Sequence, residues 1–450
     1  MSLKRFALDV RPLRRRDFRL VYTAAGVSSF GSMITYVTIP FQLKQMTGDT
    51  LIVGLLGVAE LVPLLFMAFV GGALADYVDR RKLVFWAEAA LAVLAALLLL
   101  NALVGTPKVW VLFVIAALGA AIDGVHRPAM DAMMPRLAPA EEMPAVGALN
   151  SLRWQIAQIA GPTLAGLMIA NFDVAWVFAF DLATYAVSLT CFAMVRSIAP
   201  PEAADRPSLR SVVEGVRYAR SRPELIGTYL IDINAMFFAF PVALYPWVAD
   251  RYGGASVLGL FYAALAAGSM LVTLTSGWTA RVHRHGLAVL IAAGAWGLGI
   301  VLFGMAGSLW LALLGLVVAG ASDMISGLFR GIIWNQTIPD HLRGRLAGIE
   351  MLSYLTGPML GQTRAGLSAR WWGPAGAVVW GGVLCVVGTG ALAAALPAFL
   401  KYDGREGLAR KQAEEAARAA KIAAAREAAI APGATFQDPG LQPAVEAATP

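Results

Sequence analysis

The chain has 450 residues, of which 58% are hydrophobic and only 14% are charged, whereas a soluble domain carries roughly 25% charged residues. With a mean hydropathy of +0.66, this composition excludes an ordinary soluble protein and indicates an integral membrane protein. The formal charge of +7 then favours an anionic membrane surface, rather than nucleic acid, as the partner of the basic residues.

The apolar segments predict twelve transmembrane helices. Each segment has about the ~20 residues that a helix needs to cross the ~30 Å hydrocarbon core. Inside lipid, helices satisfy the backbone hydrogen bonds within one segment, which open strands cannot do. The predicted spans of this all-α membrane protein are 18–42, 51–75, 83–104, 109–132, 145–170, 174–196, 225–248, 255–279, 287–306, 309–334, 346–369 and 375–397.

The longest connection, residues 197–223, divides the spans into six and six. It contains five arginines and an amphipathic segment from Leu209 to Tyr218. We therefore predict two six-helix bundles, 18–196 and 224–398, joined by a cytoplasmic linker. Residues 1–17 are predicted to be a cytoplasmic N-terminus, and residues 399–450 a charged cytoplasmic tail that begins as a solvated helix and becomes disordered.

The distribution of Lys and Arg predicts the orientation of the chain. Basic clusters such as Arg14–Arg16 and Arg80–Lys82 all fall on the side of the two termini. The opposite side receives only Lys44, Lys108, Arg251 and Arg370. Because positive loops remain in the cytoplasm, we expect a multi-pass protein of the inner membrane with both termini cytoplasmic.

The two halves repeat short patterns, which predicts pseudo-two-fold symmetry. Gly124-Val-His-Arg127 in span 4 corresponds to Gly327-Leu-Phe-Arg330 in span 10. Gly161-Pro162 in span 5 corresponds to Gly357-Pro358 in span 11, and these pairs are predicted to bend their helices. Matched halves suit a transporter that rocks one bundle against the other.

Ionisable residues inside the spans are candidate functional residues, because each costs a few kcal/mol in lipid. A buried carboxylate can load and release a proton near neutral pH, so we expect proton coupling at one of the acidic residues. An ion pair or a helix cap is the alternative for each, and for Asp123, four residues before Arg127, the two are equally compatible with the sequence. The proton-coupling candidates are Asp123, Glu60, Asp232 and Asp323.

Other polar and aromatic residues of the same spans are candidates for the cargo cavity, since aromatic rings would suit an amphipathic cargo. Residues near span ends could instead form an interfacial belt. Glu88 and Asp181, in spans 3 and 6, are expected to be peripheral and structural, and Arg153 to join a loop network. The cavity candidates are Arg127, Asn234, Arg330, Glu350, Arg364, Phe30, Tyr36, Trp154, Phe237, Tyr262, Trp334 and Tyr354.

The loop after span 2 resembles the signature of the major facilitator superfamily. It reads Gly72-Ala-Leu-Ala-Asp76-Tyr-Val-Asp79-Arg80-Arg81-Lys82, with Tyr77 and Asp79 departing from the usual basic residue and glycine. The resemblance implies the twelve-helix, two-bundle fold, with spans 1, 2, 4, 5, 7, 8, 10 and 11 around the cavity. It also implies that Gly72, Asp76, Arg80 and Arg81 form a gating loop, in which Asp76 contacts the start of span 11.

Within the superfamily, the chain resembles the enterobactin (siderophore) exporter subgroup from about Asp17 to Leu367. Shared features include Val53-Gly54 and the run Leu244-Tyr245-Pro246. The resemblance implies proton-coupled export of a small amphipathic metabolite, such as a siderophore, by alternating access. Two alternatives remain: a multidrug or macrolide-type efflux pump, and a non-transporting membrane sensor or lipid scramblase.

The sequence contains no motif that predicts an enzyme. Gly-x-x-x-x-Gly-Lys-Ser/Thr, His-Glu-x-x-His and Gly-x-Ser-x-Gly are all absent. Cys191 and Cys385 lie in apolar segments and indicate neither a disulfide nor a metal site. We expect no cofactor other than the proton gradient, a small-molecule substrate and membrane lipid as partners, no nucleic acid, and a monomer.

Overall fold

A computed structural model describes residues 9–77, 79–196, 216–339 and 342–430. These residues form helices, short helical turns and loops, and contain no strand. The helices of the first half are α1 (Arg16–Thr47), α2 (Thr50–Tyr77), α3 (Arg80–Leu103), α4 (Val109–Met133), α5 (Met143–Asn171) and α6 (Val174–Ala193). Those of the second half are α7 (Pro223–Ala239), α8 (Tyr245–Asp250), α9 (Ala255–Thr275), α10 (His285–Met305), α11 (Leu309–Thr337), α12 (Arg343–Ala395), α13 (Pro397–Leu400) and α14 (Gly404–Ile430).

The described residues contain ten segments that are long and apolar enough to cross a membrane. Two more spans complete the predicted twelve. The 29-residue α5 is not among the ten, because polar residues such as Arg153 and Gln158 interrupt its apolar sequence. The 53-residue α12 holds two spans, because the chain turns at Gly373, where φ is 68°, a value that glycine adopts without steric cost.

Caps explain where two of the helices begin. The Asp79 Oδ1 atom accepts a hydrogen bond from the Arg81 backbone N–H at 2.9 Å and so caps α3. Asp173 caps α6 by accepting from the Ala175 N–H at 2.9 Å. A short carboxylate at this position satisfies one of the free N–H groups of the first turn. Asp79 therefore has a local structural reason to replace the glycine that is usual in the family signature.

The helices alternate in direction, which defines two sides of the molecule. We call the side on which α1 begins, near Arg16, the terminal side, and the side of the turn at Gly48 the far side. The helical hairpin at Gly48 is closed by a left-handed residue with φ of 63°. Since α14 follows an even number of spans, the N-terminal segment and α14 lie together on the terminal side.

Two seams join the bundles, and they are related by the pseudo-two-fold symmetry. In the first, α2 packs on the first arm of α12; in the second, α9 packs on α5. A Cβ on Gly54 would lie 2.7 Å from the Gln362 carbonyl oxygen, and one on Gly166 would lie 2.8 Å from the Gly259 nitrogen. Small residues thus bring backbone against backbone at both seams.

The apolar clusters show that the bundles meet on the far side. One cluster contains side chains from both halves, for example Ile34 and Val37 of α1 together with Phe261 of α9. On the terminal side, a cluster around Phe18 belongs entirely to the first half, and one around Phe399 belongs entirely to the second. The described part of the molecule is therefore closed on the far side and separated on the terminal side.

Helix α14 is charged and mostly exposed, as the sequence predicted for this segment, but several of its residues contact the second bundle. Lys411 is only 8% exposed, and its Nζ atom donates to the Asn335 carbonyl at 3.3 Å. Glu414 pairs with Arg222, and Tyr218 donates to the Thr337 carbonyl at 2.9 Å. The helix therefore packs along the terminal ends of α7 and α11, because its charged residues find partners there. Residues 431–450 lie outside the described part of the chain.

Candidate functional site: an inter-bundle cavity

Three adjoining cavities lie between the bundles, with volumes of about 370, 220 and 210 Å³. The first and second share Asp123 and Arg127 in their linings, and the first and third share Tyr354. We call the three together the inter-bundle cavity. Its size suits a drug-sized molecule, for which pockets of roughly 300–1,000 Å³ are usual.

The first cavity is polar and belongs mostly to the N-terminal bundle. Trp154 and Tyr354 present their rings to it from opposite bundles and are 40% and 48% exposed. It also contains six side chains that carry or can carry charge. They are Glu88, Asp123, His126, Arg127, Asp131 and Arg153.

Asp123 and Arg127 form an ion pair within α4. The Arg127 Nη2 atom donates to Asp123 Oδ2 at 3.3 Å, and the two side chains are 37% and 55% exposed. The sequence left two roles open for Asp123, a proton-coupling carboxylate and an ion-pair partner. The structure is compatible with both, because Asp123 pairs with Arg127 and also faces the cavity. An exposed pair of this kind is held by only 0.2 to about 1 kcal/mol, so cargo or solvent can compete for either partner.

The second cavity lies towards the far side and contains Glu60. Within the described residues, Glu60 has no ion-pair partner, and Asp123 lines the same space. Tyr36 of α1 also lines it and packs edge-on against Tyr262 of α9, with ring centroids 6.0 Å apart. Because these two rings come from opposite bundles, their contact helps to close the cavity on the far side.

The third cavity belongs to the C-terminal bundle. The Arg330 Nη1 atom lies 2.6 Å from Asp232 Oδ1, and Asp232 is almost fully buried. Glu350 lines the same space, as does Trp334, whose Nε1 atom donates to Thr228 Oγ1 at 3.0 Å. Asp232 and Arg330 are thus a tight buried pair, in contrast to the exposed pair of Asp123 and Arg127 in the other bundle.

Two predicted cavity residues serve packing instead. The Asn234 amide donates to the Cys385 carbonyl at 3.0 Å and to Thr389 Oγ1 at 3.2 Å, so it points towards the second arm of α12. Arg364 donates to the carbonyls of Phe237 and Phe238, where the break between α7 and α8 leaves backbone oxygens without helical partners. Neither side chain lines the three cavities.

Four more candidates do not line the three cavities. Phe30 packs against Phe180 at a centroid distance of 6.4 Å, and Phe237 packs against Phe238 at 5.0 Å. Tyr262 is only 8% exposed and stacks in the far-side core. Asp323 lies on α11 outside these linings. The sequence predicted the helix on which each of these four residues lies, but it did not predict the direction in which each side chain points.

Sequence reasoning placed Glu88, Asp181 and Arg153 in the wrong surroundings. Glu88 and Asp181 line the first and second cavities rather than the periphery. Arg153 also lines the first cavity, and its Nη1 atom donates to Ala25 O at 2.9 Å and to Ser29 Oγ at 2.7 Å. One signal was available for Glu88: like Glu60, it has no Lys or Arg three or four residues away.

The family-type loop motif is described only in part. Gly72 and Asp76 belong to α2, but the side chain of Asp76 and its predicted contact lie outside the described part of the chain. Arg80 is buried at the start of α3. Arg81 donates to the carbonyls of Phe192 and Ala193 at 3.1 and 2.7 Å, which fastens the start of α3 to the end of α6.

The two Gly-Pro pairs lie inside continuous helices at equivalent packing positions. A Cβ on Gly161 would lie 2.7 Å from the Met33 Cβ, and one on Gly357 would lie 2.9 Å from the Met236 Cβ. The helices α5 and α12 continue past Pro162 and Pro358. The glycines therefore allow close contact of α5 with α1 and of α12 with α7. Among the described residues there is no group of three or more His, Cys, Asp or Glu side chains that could hold a metal ion.

Comparisons with known proteins agree with this architecture. The enterobactin exporter EntS of Shigella boydii serotype 4 (strain Sb227) is 28% identical over 354 residues, which are 78% of this chain and 84% of that protein. The EntS protein of Escherichia coli O81 (strain ED1a) matches equally, at 28% over the same shares.

Solved structures share the fold. The nucleoside transporter NupG superimposes with a TM-score of 0.68 at 14% identity, covering 86% of this chain and all of that one. A bacterial homologue of the human lysosomal transporter Spinster gives 0.66 at 12% identity, covering 90% and 99%. The family model described as MFS_3, transmembrane secretion effector, matches residues 8–399. The chain is therefore a membrane transporter of the major facilitator superfamily and belongs to its transmembrane secretion effector family.

Proposed function

We propose that this protein is a proton-coupled exporter of a small amphipathic metabolite, with a siderophore as the specific cargo. The observation that carries the proposal is the inter-bundle cavity, in which carboxylates and arginines lie beside aromatic rings. Trp154 and Tyr354 offer apolar faces, while Arg127 and Arg153 offer donors for acidic or catecholate oxygens. The homology to proteins named enterobactin exporters supports the same cargo class.

The proposed direction of transport rests on the homology to proteins named exporters, and the two sides of the cavity supply its route. The described bundles are separated on the terminal side, which the arginine distribution assigns to the cytoplasm. In this proposal cargo enters from that side, the bundles rock about the cavity, and the far-side seams open to release it. Proton binding to a cavity carboxylate drives the return. Glu60 and Asp123 are the first candidates, because both line the space beside the far-side closure.

Transport by cells expressing the wild type and Asp123→Asn tests the proposal, with and without a collapsed proton gradient. The probes are a catecholate siderophore and a lipophilic dye. We expect gradient-dependent siderophore export by the wild type and its loss in Asp123→Asn. Asp173→Asn is the matched control, since Asn also caps a helix and residue 173 lies outside the cavity.

Three other outcomes would count against parts of the proposal. Export of the dye alone would replace the siderophore with drug-like cargo. Siderophore export that ignores the gradient would remove proton coupling. If Asp123→Asn exports normally with the gradient intact and fails without it, Asp123 is an ion-pair residue and Glu60 becomes the residue to test.

A further inference from the structure

Glu88 lies in the first half of α3, about two turns after the helix begins. Its side chain is fully buried, yet it is part of the lining of the first cavity. Its carboxylate accepts hydrogen bonds from two other helices and lies within ion-pair distance of a third, although His126 Nε2 makes no aligned hydrogen bond. Ser28 of α1 donates to Oε1 at 2.9 Å, Ser188 of α6 donates to Oε2 at 2.9 Å, and His126 Nε2 of α4 lies 3.2 Å from Oε1.

The partners of Glu88 differ from those of the other paired cavity carboxylates. Asp123 and Asp232 each pair with an arginine, and a guanidinium keeps its charge throughout the physiological range. Glu88 lies beside an imidazole, a type of side chain that serves proteins as a proton acceptor and donor. The two serine hydroxyls donate to a carboxylate and can also accept from a carboxylic acid. This arrangement accommodates both protonation states.

His126 connects the buried carboxylate with the cavity. Its side chain is 15% exposed, whereas that of Glu88 is 0% exposed, so a proton from cavity water reaches the imidazole first. The charged and titratable groups around the pair are Asp123, Arg127 and Asp131 on α4, Arg153 on α5 and Asp181 on α6. The positive charges of Arg127 and Arg153 offset the negative charges of the nearby acidic residues. Uptake of one proton therefore makes the cavity wall that cargo contacts more positive.

We propose that Glu88 and His126 form a proton-exchange site of the transporter. The empty site holds neutral His126 and the Glu88 carboxylate, with a charge of −1. One proton from hydronium in the cavity binds His126, and the loaded pair is either imidazolium with carboxylate or neutral imidazole with carboxylic acid. Release to water reverses the step, and no other group is consumed. This inference rests on the proposed proton coupling and names the site at which it occurs.

The site also explains how a proton would affect helix packing. Glu88 holds α1 and α6 against α3 through two hydrogen bonds and lies 3.2 Å from His126 of α4, and α1 and α4 both line the cavity. Changing the charge of the pair alters all three contacts at once. If Glu88 were only structural, the contacts would still be needed, but transport would not depend on the protonation of the pair.

Infrared difference spectroscopy on the purified full-length protein tests the site without any cargo. Spectra at about pH 5 and 8 should contain one protonation change that disappears in both Glu88→Gln and His126→Gln. Ser188→Ala should retain the change, shifted, because only one hydroxyl donor is lost. Glu142→Gln on the terminal-side loop is the control. If no change in the wild-type spectrum disappears in Glu88→Gln, the proposal is overturned.

Transport measurements separate this site from the proposed function. We expect Glu88→Gln to lose the dependence of siderophore export on the proton gradient and on pH, while His126→Gln slows proton release measured with a pH dye in proteoliposomes. Normal coupling in both variants would overturn the site and leave proton-coupled export standing. Gradient-independent export by the wild type would overturn the proposed function, and the infrared result would then show only whether the pair titrates.

Discussion

Arg370 donates from Nε to Asp49 Oδ1 at 3.2 Å and so ties the far-side end of the first α12 arm to the turn between α1 and α2. A second tie joins Lys44 to Asp250 and to the Pro246 carbonyl, the latter at 2.7 Å. Each tie connects one bundle with the other. Together with the glycine seams, they hold the far side closed while the terminal side stays separated.

Breaking the first tie should favour opening on the far side. Asp49→Asn removes a pair whose side chains are 27% and 47% exposed, so we expect a shift of 0.2 to about 1 kcal/mol, which is at most roughly a fivefold change in population. Spin labels at Asn171→Cys and Ser256→Cys, on a background without Cys191 and Cys385, would report the longer far-side distance. Asp49→Asn combined with Arg370→Gln should add little to either single change.

The same tie should be insensitive to pH in the neutral range. The hydrogen bond from Arg370 lowers the pKa of Asp49 below its usual value. A lowered pKa means that the ionised carboxylate stabilises the tie above the unpaired pKa of about 3.9. That stabilisation is lost only as the pH falls through the still lower pKa of the tied state. The far-side spin-label distance should therefore not change between about pH 8 and 5 through Asp49, and a change that Asp49→Asn abolishes would contradict this.

The glycine seams should tolerate no added carbon. Gly259→Ala would bring a methyl group into the Pro162 carbonyl, which belongs to the α5 backbone and cannot move aside alone. Overpacking of this kind costs about 1–3 kcal/mol, so we expect the far-side labels to separate and the closed population to fall roughly tenfold. Gly294→Ala on α10 meets no atom within 4 Å and should leave the distance unchanged.

Replacing each of the two arginines of the repeated pattern should lower the stability of the protein by a different amount. Arg330→Gln leaves the buried Asp232 without its partner, which typically costs 3 to about 5 kcal/mol. Arg127→Gln breaks an exposed pair and should cost less than about 1 kcal/mol. Thermal unfolding in detergent should rank the variants in this order. Asp232→Asn in the Arg330→Gln background should recover most of the loss, and no recovery would show that Arg330 stabilises the bundle by another contact.

Asn234 should affect stability without affecting cargo choice. Asn234→Ala removes hydrogen bonds to the Cys385 carbonyl and to Thr389, and each such bond contributes about 0.5–1.5 kcal/mol to stability. We expect a lower unfolding temperature and an unchanged ratio of siderophore to dye export. A changed ratio would return Asn234 to the cavity.

The fold was predictable from the sequence because its determinants are local. Span length follows from membrane thickness, and the glycines at positions 161 and 357 repeat in order. For the candidate site, the sequence predicted the helix that carries each residue but not the side of that helix on which the residue lies. The side of the helix on which a polar residue lies depends on the partner that satisfies it, and those partners are distant in sequence. Asn234 bonds to residues more than 150 positions away, and Glu88 and Ser188 are 100 positions apart.

Because of the contacts of α14, the second bundle extends as a structural unit beyond its membrane spans. Tyr218, in the predicted linker, and Glu414, in the predicted tail, are 3.4 Å apart through Tyr218 Oη and Glu414 Oε2. The two ends of the C-terminal half are thus fastened to each other. A chain divided before residue 216 should give two fragments that assemble when coexpressed. The second fragment would retain the contact between Tyr218 and Glu414. A fluorescent label on α14 would follow the motion of the second bundle, and one at the start of α1 would follow that of the first.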